Sequence, residues 1–178
     1  MMPIITLLLA GLILQQPQPQ TPPQAGQVDS TTHAVTSVAE AVADVKAEVD
    51  RFRTRAFNDP TGSVLESAAA FRTACERLAS VARAAPRMIC RHCISGRGQP
   101  AFDRYRAFMP SLVGLGGRCV TRLRTKVTPG ASPAVLRQTA IDMSNMMLAG
   151  LRPYEQRIAE IRSTLAPSAP PPPRRRGP

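Results

Sequence analysis

Two cysteines three residues apart, Cys90 and Cys93, enclose His92 within the run MICRHCISGRG, residues 88–98. Thiols at this spacing serve haem attachment, metal binding, thiol–disulfide exchange or cross-linking. Covalent haem needs a histidine directly after the second cysteine, but Ile94 stands there and His92 lies between the thiols. A non-covalent haem held by His33 and Met147 fails on distance. Met147 lies eighteen residues before Leu165, where the last apolar stripe ends. That is about 27 Å of helix from the end that His33 would face. No cofactor is expected.

Metal binding has two candidate donor sets. The first is Cys90, His92 and Cys93, which Cys75 and Cys119 could extend to a tetrahedral zinc site. Against it, Cys75 and Cys119 are isolated on separate helical stripes rather than forming a second close pair. The second is Met143, Met146 and Met147, thioethers suited to copper(I). Methionines at i, i+3 and i+4 also describe the filler of a helical core. Thiol exchange at Cys90 would draw on Arg87 and Arg91, which stabilise a thiolate. The usual dithiol oxidoreductase, however, places its cysteines at a helix start beside a sheet. This chain shows no period-two alternation over a useful length, so no sheet is expected.

Cross-linking remains, and the N-terminus favours it. Residues 4–14, IITLLLAGLIL, form an uncharged apolar run. Eleven residues are short for a bilayer span but suit the core of a signal peptide. The reading is therefore an exported protein, periplasmic, secreted or held at its N-terminus by an uncleaved anchor. Four cysteines in an oxidising compartment read as two disulfides. Along simple hairpin helices Cys75 lies about 15 Å deep and Cys119 about 27 Å deep. That mismatch favours a clamp, with Cys90 and Cys93 each bonded to one of Cys75 and Cys119. The competing pairing is Cys75 with Cys119 and Cys90 with Cys93.

Charge is the other chemical signal. The net charge is +11, from 23 basic and 12 acidic residues. Between residues 83 and 126 ten basic residues face Asp103 alone. Arg104, Arg106, Arg118, Arg122 and Arg124 are the candidates for one cationic surface. Such a surface would attract anionic lipid or a cell-envelope polymer. Only Lys46 and Lys126 are lysines; this arginine-rich, alanine-rich and proline-rich composition is also what a GC-rich coding sequence produces. Nucleic acid is disfavoured, because aromatics are 4% of residues and tryptophan is absent. Two histidines and no glycine-rich phosphate loop leave little material for catalysis. The expected function is a non-catalytic binding or envelope-structural protein. The alternative is a thiol-redox or metal-handling protein using Cys90 and Cys93.

The elements that must position these residues are four amphipathic helices. In the first, Val35, Val38, Val42, Val45, Val49, Phe52 and Ala56 make a heptad seam, which also suits homodimerisation through this helix. Pro60 and Gly62 break it, and Ser63 with Glu66 reads as a capping box. The second stripe is Val64, Ala68, Phe71, Cys75, Leu78 and Ala82, closing near Pro86. The third is Phe102, Tyr105, Met109, Leu112, Gly116, Cys119 and Leu123, expected to kink or break near Pro110. Ser132 caps the fourth, with Pro133 at its first position. Its stripe runs from Leu136 through Met143, Met147 and Tyr154 to Leu165, bent at Pro153. The expected fold is all-α, an up-down-up-down four-helix bundle with long first and last helices. Residues 1–26 are read as the signal or anchor plus a Pro/Gln-rich spacer. Residues 30–165 are the bundle domain, and residues 166–178 a Pro/Arg-rich disordered tail.

Overall fold

Each apolar stripe becomes a helix whose stripe faces inward. The structure, a computed structural model, describes residues 25–59, 62–90 and 98–165. The helices are α1 (Ala25–Asn58), α2 (Ser63–Met88), α3 (Gln99–Lys126) and α4 (Pro133–Leu165). The signal or anchor segment and the Pro/Arg-rich tail lie outside the described residues. Each helix packs on its neighbours in chain order, and α4 closes the ring against α1. This is the up-down-up-down bundle, with α1 and α4 the longest helices. Among the described residues, no helix is long and apolar enough to cross a membrane.

The whole valine seam of α1 is buried, from Val35 to Ala56. Its 3.5-residue spacing keeps one face turned to the bundle axis over six turns, which a 3.6-residue helix does only by packing at a shallow angle. The seam is thus occupied inside its own bundle. A dimer formed through α1 would have to use its outer face, where Thr32, Thr36 and Ala43 are exposed. Phe52 meets Phe71 of α2 with ring centroids 5.9 Å apart. Met143 and Met147 are fully buried in the core.

Three local expectations are corrected. Pro110 does not divide α3, which is one helix from Gln99 to Lys126. The lost hydrogen bond falls on an exposed face, while Met109 and Leu112 on either side are fully buried and hold the helix by packing. Ser63 does not form a capping box. Gly62 is the N-cap, and the Ser63 hydroxyl donates instead to Asp59 Oδ2 at 2.6 Å. The helix α2 also passes Pro86 and ends at Met88. Ser132 behaves as expected: its Oγ accepts from Val135 N at 3.4 Å and its carbonyl from Leu136 N at 3.0 Å.

Candidate functional site

Cys75 and Cys119 are bonded to each other. Both side chains are fully buried, and their Cα atoms are 6.2 Å apart. The clamp in which Cys90 and Cys93 each take a helical partner is therefore wrong. Its premise fails because α2 and α3 are out of step. Pro86 of α2 lies level with Pro110 of α3, and both line one shallow cleft with Ala82 and Val113. From that level α2 ends after two more residues, whereas α3 began eleven residues earlier. The offset is about 13 Å of helix, which cancels the mismatch in depth.

Gly116 makes the close approach possible. A Cβ there would stand 2.7 Å from the Cys75 carbonyl oxygen and 3.0 Å from the Ala79 Cβ. Its missing side chain lets the two backbones come within disulfide reach.

Cys90 is also disulfide-bonded, and none of the described cysteines is free. It is half-buried just past the C-cap Ile89. Its backbone N–H donates to Thr31 Oγ1 at 3.1 Å, and Ser30 Oγ donates to the Met88 carbonyl at 3.3 Å. The start of α1 thus pins the end of α2. Cys93 and His92 lie outside the described residues, so the Cys90–His92–Cys93 donor set has no described geometry. Among the described residues, no group of three or more His, Cys, Asp or Glu side chains is placed to hold a metal. His33 is exposed.

The five arginine candidates do not form one surface. Arg104 turns toward α4 and pairs with Glu160 at 3.0 Å. Arg124 turns toward α2 and pairs with Glu76 at 3.0 Å. Arg106 is half-buried, with Nε and Nη1 buried and without hydrogen-bond partners among the described residues. Arg118 and Arg122 remain exposed, with no ion pair among the described residues. Lys126 continues them at i+4, so Arg118, Arg122 and Lys126 form one unpaired row on the outside of α3. The four-residue spacing was visible in the sequence. What hid the row was its mixing with Arg104 and Arg124, whose partners belong to other helices. Arg122 and Lys126 also border a cleft of about 370 Å³ against α4, with Val135, Gln138, Thr139, Asp142 and Met143. Asp142 accepts from Gln138 Nε2 at 2.9 Å rather than pairing with either cation.

One polar feature of the core escaped the sequence reading. Tyr105 and Tyr154 lie with ring centroids 6.1 Å apart, and both hydroxyls are buried without a well-formed hydrogen bond among the described residues. Burial pushes the Tyr154 phenol up to about 12. Burial, and then the neighbouring Tyr154, pushes Tyr105 up further still. Both stay neutral near pH 7, and neither has a base beside it to make it a nucleophile. Beside them Arg157 stacks over the Phe108 ring, 4.5 Å from its centroid, and donates to the Pro153 carbonyl at 2.9 Å.

Compared with known proteins, the chain matches no protein-family model, no curated protein and no solved structure.

Proposed function

We propose that this is an exported, non-catalytic helical binding module of the cell envelope that holds an anionic partner through Arg118, Arg122 and Lys126. The observation that carries the reading is the unpaired cationic row on α3. Its helix is fixed to α2 by a buried disulfide, so the charges keep their spacing without internal neutralisation. Export is supported by the apolar N-terminal run and by a cysteine set that is bonded wherever it is described. The test is co-sedimentation with anionic and neutral vesicles and with an anionic polysaccharide, at 0.05 M and 0.5 M salt. Binding should be confined to the anionic targets and fall steeply with salt, as screening shortens from more than about 10 Å to less than about 8 Å. Replacing Arg118, Arg122 and Lys126 together by Gln should weaken it at least tenfold. Unchanged binding in that variant would overturn the assignment.

A second reading, thiol exchange at Cys90, draws on one observation: its disulfide is not the buried one. Against it, Cys90 follows the C-terminus of α2, where the helix dipole disfavours a thiolate. Incubation with a glutathione buffer, followed by mass spectrometry of trapped thiols, separates the readings. Rapid exchange at Cys90 with Cys75–Cys119 left intact would favour the redox reading.

A further inference from the structure

Cations crowd both ends of the bundle: Arg83, Arg87, Arg104, Arg106 and Arg162 stand within two turns of the end where α2 and α4 stop, against Asp103 and Glu160. The turn end, where α1 and α3 stop and α2 and α4 start, is set apart by its exposed apolar side chains. Within its last or first two turns stand Arg53, Arg55, Arg122, Arg124, Lys126 and Arg137, against Glu66 on the helices and Asp59 just beyond α1. Asp59 accepts a hydrogen bond from Ser63. Among the described residues, Arg124 alone of those cations is ion-paired. The same end exposes two large apolar side chains, Phe57 at 45% and Val135 at 43%. Large exposed apolar side chains are otherwise found, among the described residues, only at Ile141 and Leu148 on the shaft of α4. Cations in the last turns of α1 and α3 have a local explanation, since they face negative helix ends. That does not account for Arg137 near the positive start of α4, nor for the exposure of Phe57 and Val135.

We propose that this end docks on an anionic phospholipid surface, with Phe57 and Val135 seated at the headgroup boundary and Arg53, Arg55, Arg122 and Lys126 on the phosphates. The inference rests on the anion-binding reading above and names its partner. Phe57 shares a cleft with Arg53 and Asp50, and Val135 shares one with Arg122, Lys126 and Asp142. Apolar side chains beside cations have the chemistry of an interfacial anchor, in which apolar burial and attraction to anionic lipid add together. A soluble polyanion would use the cations and leave Phe57 and Val135 idle.

The experiment uses the full chain, vesicles of phosphatidylglycerol and phosphatidylcholine or of phosphatidylcholine alone, and dextran sulfate as the soluble polyanion. Phe57→Ser with Val135→Ser should weaken partition to the anionic vesicles about tenfold while leaving dextran sulfate binding unchanged. Arg122→Gln with Lys126→Gln should weaken both, by about fivefold per charge at the membrane. Arg83→Gln with Arg87→Gln, toward the other end, should change neither by more than about twofold. Both apolar positions are substantially exposed, so that variant should keep the parent's circular dichroism and melting midpoint. Anionic-vesicle binding that ignores Phe57 and Val135, or that depends equally on Arg83 and Arg87, would overturn the docking mode and leave anion binding standing. Absence of binding to both vesicles and dextran sulfate would bring down the anion-binding reading itself.

Discussion

At the end where α1 starts and α2 stops, several polar groups find partners within the chain, while Arg83, Arg87 and Arg162 stay exposed. Thr31 accepts from the Cys90 backbone, Ser30 donates to Met88, and Arg104 pairs with Glu160. At the turn end, Arg53, Arg55, Arg122, Lys126 and Arg137 have no ion pair among the described residues, and Phe57 and Val135 face water. Between the two lies a close-packed layer, Cys75–Cys119 against Gly116. The difference teaches where to look for recognition. The first end exposes charge but no large apolar side chain among the described residues. Unpaired charge at either end responds to an approaching anion, but only the turn end sets exposed apolar side chains, Phe57 and Val135, beside that charge.

The largest expected effect comes from the layer between them. Cys75→Ala with Cys119→Ala opens a cross-link spanning 44 residues. It should cost about 4 kcal/mol by loop entropy. The reading is a denaturant midpoint, and anionic-vesicle binding per folded molecule should persist because neither end is touched. A preserved midpoint would show that packing alone sets the α2–α3 register.

Adjacent glycines give a sharper contrast. Gly116→Ala drives a Cβ into the Cys75 carbonyl and should cost about 1–3 kcal/mol. Gly117→Ala meets nothing within 4 Å and should gain up to about 1 kcal/mol by helix propensity. Equal effects in thermal melts would contradict the close approach.

Thr31→Val leaves the Cys90 N–H unpaired and should cost about 1–3 kcal/mol. Hydrogen exchange should quicken at the start of α1 and the end of α2 but not at the turn end. Arg104→Gln removes an exposed ion pair and should cost no more than about 1 kcal/mol.

Alkaline pH tests the tyrosine pair. Between pH 10 and 12 the unfolded phenol ionises, while the buried Tyr154 stays protonated until about 12. The unfolded state is thereby favoured, and stability should fall as pH rises through that window. Tyr105→Phe with Tyr154→Phe should flatten the decline, and a pH profile of urea midpoints would measure it.

Much of the fold was legible because burial follows period. The stripes of α1, α2 and α3 reappear buried residue for residue, since an apolar face repeating at three and four has one helical side to offer. The Ser63–Glu66 signal misled because Asp59, one turn upstream, competes for the same hydroxyl. Leu115, buried against Gly150, lay outside the stripe because its contact depends on a glycine in another helix.

The sequence by itself therefore determined helix number, turn positions and inward faces, all of which depend on neighbours within a few residues. Only the tertiary structure decided that Cys75 meets Cys119, because their register depends on how far the chain travels between α2 and α3. Only it decided which arginines stay unpaired, because Glu76 and Glu160 reach Arg124 and Arg104 from 48 and 56 residues away. Along one helix, spacing says which side chains share a face. It does not say what stands opposite them.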